Sequence, residues 1–288
     1  DRPCRLAEAT KEKILRVARE MKFQDQGLIS ADRFGNIKTV GLILPEPIPF
    51  FLDLAYKITQ ELYKKGYTVF QCTVGNDLDC CYRALESLTC KNVDGIIMIP
   101  PCTGKKDTKL PKMLKALQNS GVPMILVDRA VYSVFCDFVT TDNKLGGKIA
   151  TESLIHCGHR KIGCIMGKKD AYTVRKRMDG YKQALVSYDI SYDEKLVYYG
   201  EFTKNTGAMG TEDLISKGIT AIFAGNDEIA VGIYEYAKKE KIKIPEELSV
   251  VGFDNTSICD FLTPPLSSVE QNTEQLAEKI VEVMLADL

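Results

Sequence analysis

From residue 39 onward, short apolar runs alternate with longer amphipathic stretches. Residues 40–44, 68–72, 95–99 and 122–127 are rich in Val, Ile and Leu and read as strands of a sheet covered on both faces. Between them, 54–65, 80–88 and 109–120 place apolar residues at helical spacing. Gly66 and Gly121 follow two of these stretches, where glycine favours a helix stop. The βαβαβ order predicts a parallel, doubly wound sheet with right-handed crossovers. A second series begins after 138–142, with helices over 145–156, 174–188 and 207–217 and strands over 161–166 and 196–199. The strand at 221–224, a helix opening at Asp227 and the strand at 248–253 complete it. The expected fold is therefore α/β, two doubly wound parallel-sheet lobes with a ligand cleft between them. The helix at 273–288 has no strand after it and is expected to pack back on the first lobe.

Candidate chemistry gathers where strands end. Asn226 follows the strand at 221–224, and Asp254 ends the strand at 248–253. Adjacent parallel strands would carry this amide and this carboxylate to one sheet edge, where open α/β sheets bind ligands. The pair suits a neutral, hydroxyl-rich ligand. Asp227 reads as the cap of the helix that follows.

Composition narrows the class. The chain has 288 residues, 45% of them hydrophobic, enough for two cores. A net charge of -1 gives no nucleic-acid-like excess of Lys and Arg. No apolar run is long enough to span a bilayer, so no membrane partner is expected. The chain opens without an initiating Met, as a fragment would, and without a secretory signal pattern. Its ten cysteines are scattered, Cys80 and Cys81 are adjacent, and no C-x-x-C pair occurs. They read as reduced thiols of a cytoplasmic protein rather than a disulfide scaffold or zinc site. No metal or cofactor is expected.

The segments VDGIIMIP (93–100), GVPMILVDR (121–129), TTDNKLGGKIATESLIHCGHRKIGCIMG (140–167), RMDGY (177–181), AIFAGNDEIAVG (221–232), KIPEELSVVGFDN (243–255) and TPPLSSVEQ (263–271) together resemble the ligand-binding core of the LacI/GalR family of bacterial transcriptional regulators. Periplasmic sugar-binding proteins share that core. The resemblance implies residues 1–38 as a remnant of headpiece and hinge, 39–138 plus 267–288 as the N-terminal lobe, and 139–266 as the C-terminal lobe. Residues 10–23 resemble the third helix of the family's helix-turn-helix headpiece. The two helices that precede it in the family are not in this sequence. Asp25-Gln26 stand where a Pro-Asn pair usually starts the hinge helix, and Asp32 stands where a Leu enters the minor groove. Operator DNA is thus expected as a partner only of a full-length form with an intact headpiece.

The same resemblance assigns a ligand site. Phe50 and Phe51 would stack on a sugar face, or else pack their loop onto the first helix. Asp128 and Arg129 would hold ring hydroxyls, the alternative being a surface ion pair. Arg177 would bind hydroxyls or a carboxylate through its planar fork, unless it lies on a solvated helix face beside Arg175 and Lys176. Phe202 matches a cleft aromatic or is a core residue. Asn226, Asp254 and Gln271 complete the set. Ile48 stands where ribose-binding relatives often carry a hydrogen-bonding Asn.

Enzyme motifs are not found. Gly146-Gly147-Lys148 lacks the phosphate-loop spacing, no G-x-S-x-G elbow occurs, and His156 and His159 read as shaping the Gly158 turn. The expected function is the ligand-sensing core of a regulator. It would bind a small sugar or related effector between its lobes and control operator binding through a homodimer, with the helix at 54–65 at the interface. An exported periplasmic sugar-binding protein of a transport system is the alternative.

Overall fold

The computed structural model describes residues 38–102, 108–131 and 133–288. The helix expected at 10–23 and the linker at 24–36 lie outside the described residues.

The first lobe contains β1 (Lys38–Leu44), α1 (Pro49–Lys64), β2 (Tyr67–Thr73), α2 (Leu78–Cys90), β3 (Gly95–Met98), α3 (Lys109–Asn119), β4 (Met124–Val127) and β5 (Asp137–Val139). The second contains α4 (Asn143–His156), β6 (Ile162–Met166), α5 (Tyr172–Ser187), β7 (Val197–Tyr199), α6 (Lys204–Ile215), β8 (Ala221–Ala224), α7 (Asp227–Glu240), β9 (Ser249–Asp254) and β10 (Ser267–Glu270). A final helix, α8 (Thr273–Asp287), follows. The sheets are five-stranded, ordered β2-β1-β3-β4-β5 and β10-β9-β8-β6-β7, with β1–β3, β3–β4, β4–β5 and every pair of the second sheet parallel. Renumbered within its lobe, the second order is the first read backwards, so one design occurs twice. In each lobe the order reverses beside the first strand, which is where doubly wound sheets open a crevice at their carboxyl ends.

Each sheet is buried on both faces. In the first lobe, α1 and α8 cover one face and α2 and α3 the other. In the second, α4 and α5 cover one face and α6 and α7 the other. This explains the near-continuous apolar strands: β3, β4, β6 and β8 are buried at every position.

The final helix packs into the first lobe, as its lack of a following strand suggested. Ala277, Ile280, Val281 and Met284 share a core with Leu54, Ile58 and Leu62 of α1. The return between lobes falls later than expected, however. Ser267–Glu270 pairs with β9 in the second sheet, so the crossing comes at Gln271 rather than before residue 267. The polar SSVE sequence concealed this short edge strand.

Several helices begin earlier than apolar spacing indicated, two of them by three residues or more. Pro49 opens α1 at its first turn, where proline's fixed φ and missing N–H carry no penalty. Phe50 and Phe51 are therefore helical, not in a loop. Thr203 caps α6 through its side chain, which starts that helix at Lys204.

Candidate functional site

The strand ends of both lobes border one narrow cavity, whose non-atom space, counted to its open edge, is about 270 Å³. The first lobe contributes Ile48, Phe50, Phe51, Asp128 and Arg129, and the second contributes Thr173, Arg177, Phe202, Asn226 and Asp254, with Gln271 from the crossing segment. Every residue expected to meet a ligand is thus brought to the same space. Thr173, in the first turn of α5, is an addition that no motif singled out.

Two guanidiniums organise the cavity. Arg129 is buried; its Nη2 donates to Glu46 Oε1 at 2.7 Å and its Nη1 to the Pro100 carbonyl at 3.2 Å. Its Nε lies 3.7 Å from Asp128 Oδ2, and its plane sits 5.0 Å from the Phe51 ring centre. Arg177, also buried, donates from Nε to Asn143 Oδ1 at 2.8 Å and from Nη1 to the Gly225 carbonyl. Its Nη2 lies 3.6 Å from Asp254 Oδ1, and its guanidinium lies 3.7 Å from the Phe253 ring centre. A solvated helix face for Arg177 and a surface ion pair for Asp128 and Arg129 are both ruled out by this burial.

Two guanidiniums face three carboxyls here: Arg129 faces Glu46 and Asp128, and Arg177 faces Asp254. With Asp254 pushed toward its neutral form by burial, the cavity's charges balance. Buried charges persist only when paired in this way. No unmatched cation remains here to draw a phosphate. What remains is hydrogen-bonding capacity: Gln271 Oε1 and Arg129 Nε are buried and have no hydrogen-bond partner among the described residues. Gln271 spends its other amide atom on Asp254, donating from Nε2 to Oδ1 at 2.7 Å.

Asn226, not the expected Asp227, caps α7, while still bordering the cavity. Its Oδ1 accepts from Ile229 N at 3.0 Å. Its Nδ2 makes no hydrogen bond among the described residues, so a donor is left at the cavity wall. Asp227 lies in the first turn and is buried. Its carboxylate accepts from Thr256 N at 2.7 Å, Thr256 Oγ1 at 3.0 Å and Ser268 Oγ at 2.6 Å. It therefore ties the loop after Asp254 to β10.

Phe50 and Phe51 also differ from expectation. They are 4% and 2% exposed, not an open pair, and belong to the core beneath α1. Their edges still reach the cavity. Phe202 is half-buried, and its ring lies 5.8 Å from the Arg177 guanidinium.

Burial sets the protonation of the carboxyls. Asp254 is pushed up to about 8, chiefly by burial, with Asp227 and Asp128 adding and Arg177 and the Gln271 amide opposing. Burial also raises Asp128, against the pull of Arg129 and Arg177. A carboxyl whose folded pKa exceeds its unfolded value supports the fold while protonated; that support is complete below about pH 4 and is lost as pH rises toward about 8. Asp254→Asn is therefore expected to become more stable relative to wild type as pH rises through this window. Urea unfolding of both proteins across the range measures it, and a constant difference would contradict the assignment.

Two lobes of one design, closing on a cavity with aromatic walls and matched charges, define a two-lobed small-molecule-binding protein. A family model described as periplasmic binding protein-like domain matches residues 151–288. The chain is 27% identical over 283 residues to the HTH-type transcriptional repressor PurR of Aliivibrio salmonicida, covering 97% of this chain and 84% of that protein. Among solved structures, a LacI family transcriptional regulator from Enterococcus faecium with bound ribose is 30% identical, with a TM-score of 0.76, covering 86% of this chain and 89% of that one. The transcriptional regulator CelR in complex with cellobiose is 27% identical, with a TM-score of 0.77, covering 98% and 85%. The chain belongs to the LacI family of transcriptional regulators, of which it comprises the ligand-sensing core. The chain covers 84–89% of these regulators, which sets aside the transport-protein alternative.

Proposed function

We propose that this core senses a neutral, hydroxyl-rich effector of the sugar class and thereby controls operator binding by a homodimer. One observation carries the reading. The cavity holds two guanidiniums that are already charge-matched, beside the buried and unpaired Gln271 Oε1 and Arg129 Nε. Such a site has hydrogen bonds to offer and no net cation for an anionic group. Phe50, Phe51 and Phe202 supply apolar edges for a ring face. The effector is bound and released unchanged, in the cytoplasm, without a cofactor.

Closure is the mechanism. A ligand that touches both lobes favours the closed arrangement only by its difference in affinity for closed and open forms. The dimer reading rests on α1, where Leu52, Tyr56 and Tyr63 form an exposed apolar stripe on one helix face. Lobe closure that shifts this helix relative to its partner would reset the spacing of the two DNA-reading segments.

The test is a thermal-shift screen of neutral sugars against their phosphorylated counterparts, with light scattering on the same samples. Stabilisation by a neutral sugar and a dimeric mass are expected. Stabilisation by phosphorylated sugars alone would overturn the neutral-ligand reading, and a monomer at high concentration would overturn the dimer.

A further inference from the structure

We propose that the effector has two units, a sugar ring in the cavity and a second polar ring in an adjoining chamber at the mouth of the cleft; this rests on the sugar-site reading above. The chamber and the solvent it opens to span about 830 Å³. Glu46, Asn76 and Cys102 border it from the first lobe, and Lys168, Glu201 and Thr203 from the second. Ile48 and Phe202 line both chamber and cavity, so a ligand extending from one to the other passes along these two side chains.

The opposite opening is built differently. It is bordered by Gln271 of the crossing segment and Thr273 at the start of α8. There Thr273 Oγ1 donates to Asp53 Oδ2 at 2.5 Å, and Lys57 Nζ donates to Thr273 Oγ1 at 2.6 Å and pairs with Asp53 at 3.0 Å. These bonds pin the start of α8 to α1 beside the point where the chain crosses. No crossing residue borders the chamber, so it lies where the lobes part.

Glu46 points to a ligand in the chamber. Its Oε1 takes Arg129, while its Oε2 is buried with no hydrogen-bond partner. A buried acceptor without a donor is unfavourable, and a hydroxyl or ring N–H of a second unit would supply one. The first-lobe wall is held in place by the Cys102 N–H, which donates to Asn76 Oδ1 at 3.1 Å. The second-lobe rim presents the exposed Lys168–Glu201 pair at 3.0 Å. A wall so rich in donors and acceptors fits a polar ring attached at the anomeric carbon of the first. A second sugar and a nucleobase both have that chemistry.

Calorimetry with single rings (ribose, glucose, galactose) and with two-ring compounds (cellobiose, maltose, lactose, adenosine, inosine) tests this. The best ligand is expected to be a two-ring compound, bound at least about tenfold tighter than its own single ring. In the double variant Lys168→Ala, Glu201→Ala, that advantage should shrink to under about threefold, with single-ring affinity held within about twofold. A disaccharide as best ligand identifies the second unit as a sugar, and a nucleoside identifies it as a base; both support the two-unit site. Equal affinity for one and two rings, or equal losses for both in the variant, overturns the inference alone. If no compound binds, the sugar-class reading falls with it.

Discussion

Asp254→Ala should weaken effector binding by at least about thirtyfold, the loss expected when a buried, hydrogen-bonded polar group is removed and its partners are left unsatisfied. The carboxylate lies at the end of β9, accepts from Gln271 and faces Arg177. Without it, a ligand hydroxyl loses a partner, Gln271 Nε2 loses its acceptor, and Arg177 loses the polar group it faces. Glu46 and Asp128 are committed to Arg129 and cannot take over. Calorimetry with the best compound from the screen gives the number, and circular dichroism confirms that the variant is folded. Unchanged affinity in a folded variant would mean that the effector binds elsewhere.

Gly180→Ala should lose roughly 1–3 kcal/mol of stability or more, as overpacked interiors do, and should weaken binding as well. A Cβ at Gly180 would lie 2.1 Å from the Lys144 carbonyl oxygen and 2.5 Å from Lys148 N. Reciprocally, a Cβ at Gly147 would lie 2.2 Å from the Arg177 carbonyl oxygen. The backbones of α4 and α5 therefore touch, and each contact atom is main chain that cannot swing aside. Separating the helices moves Arg177, so the stability loss and the binding loss should appear together. Ser187→Ala, at an exposed position on the same helix, serves as control. Urea unfolding within about 0.5 kcal/mol of wild type, the range of neutral surface changes, would show that the helices can part without cost.

Much of this architecture is readable in the chain because its physics is local. A strand covered on both faces must be apolar throughout, so residues 221–224 were legible to their ends. Helix starts were less so: Phe50 and Phe51 look like loop aromatics until Pro49 is seen at the first turn of α1. The site's membership was legible from strand ends and motif resemblance, but the partners of those side chains were not. Either Asn226 or Asp227 could cap α7; the choice turns on Thr256 and Ser268, distant in sequence, claiming the Asp227 carboxylate. Glu46, Asn143 and Thr173 carry no signal of their own, since each matters only for what folding sets beside it. The glycines at 147 and 180 were visible as residues, but only their juxtaposition shows what they do.

The placement of α8 has a consequence for synthesis. Ala277, Ile280, Val281 and Met284 finish one face of a sheet whose strands end at Val139. A ribosome that has extruded that sheet has not yet made the helix that shields it. The nascent domain must wait, with an oily flank uncovered, through the making of the whole second domain. Such intermediates attract chaperones and aggregate readily, so stop codons late in the gene would harm the part of the protein that was made first.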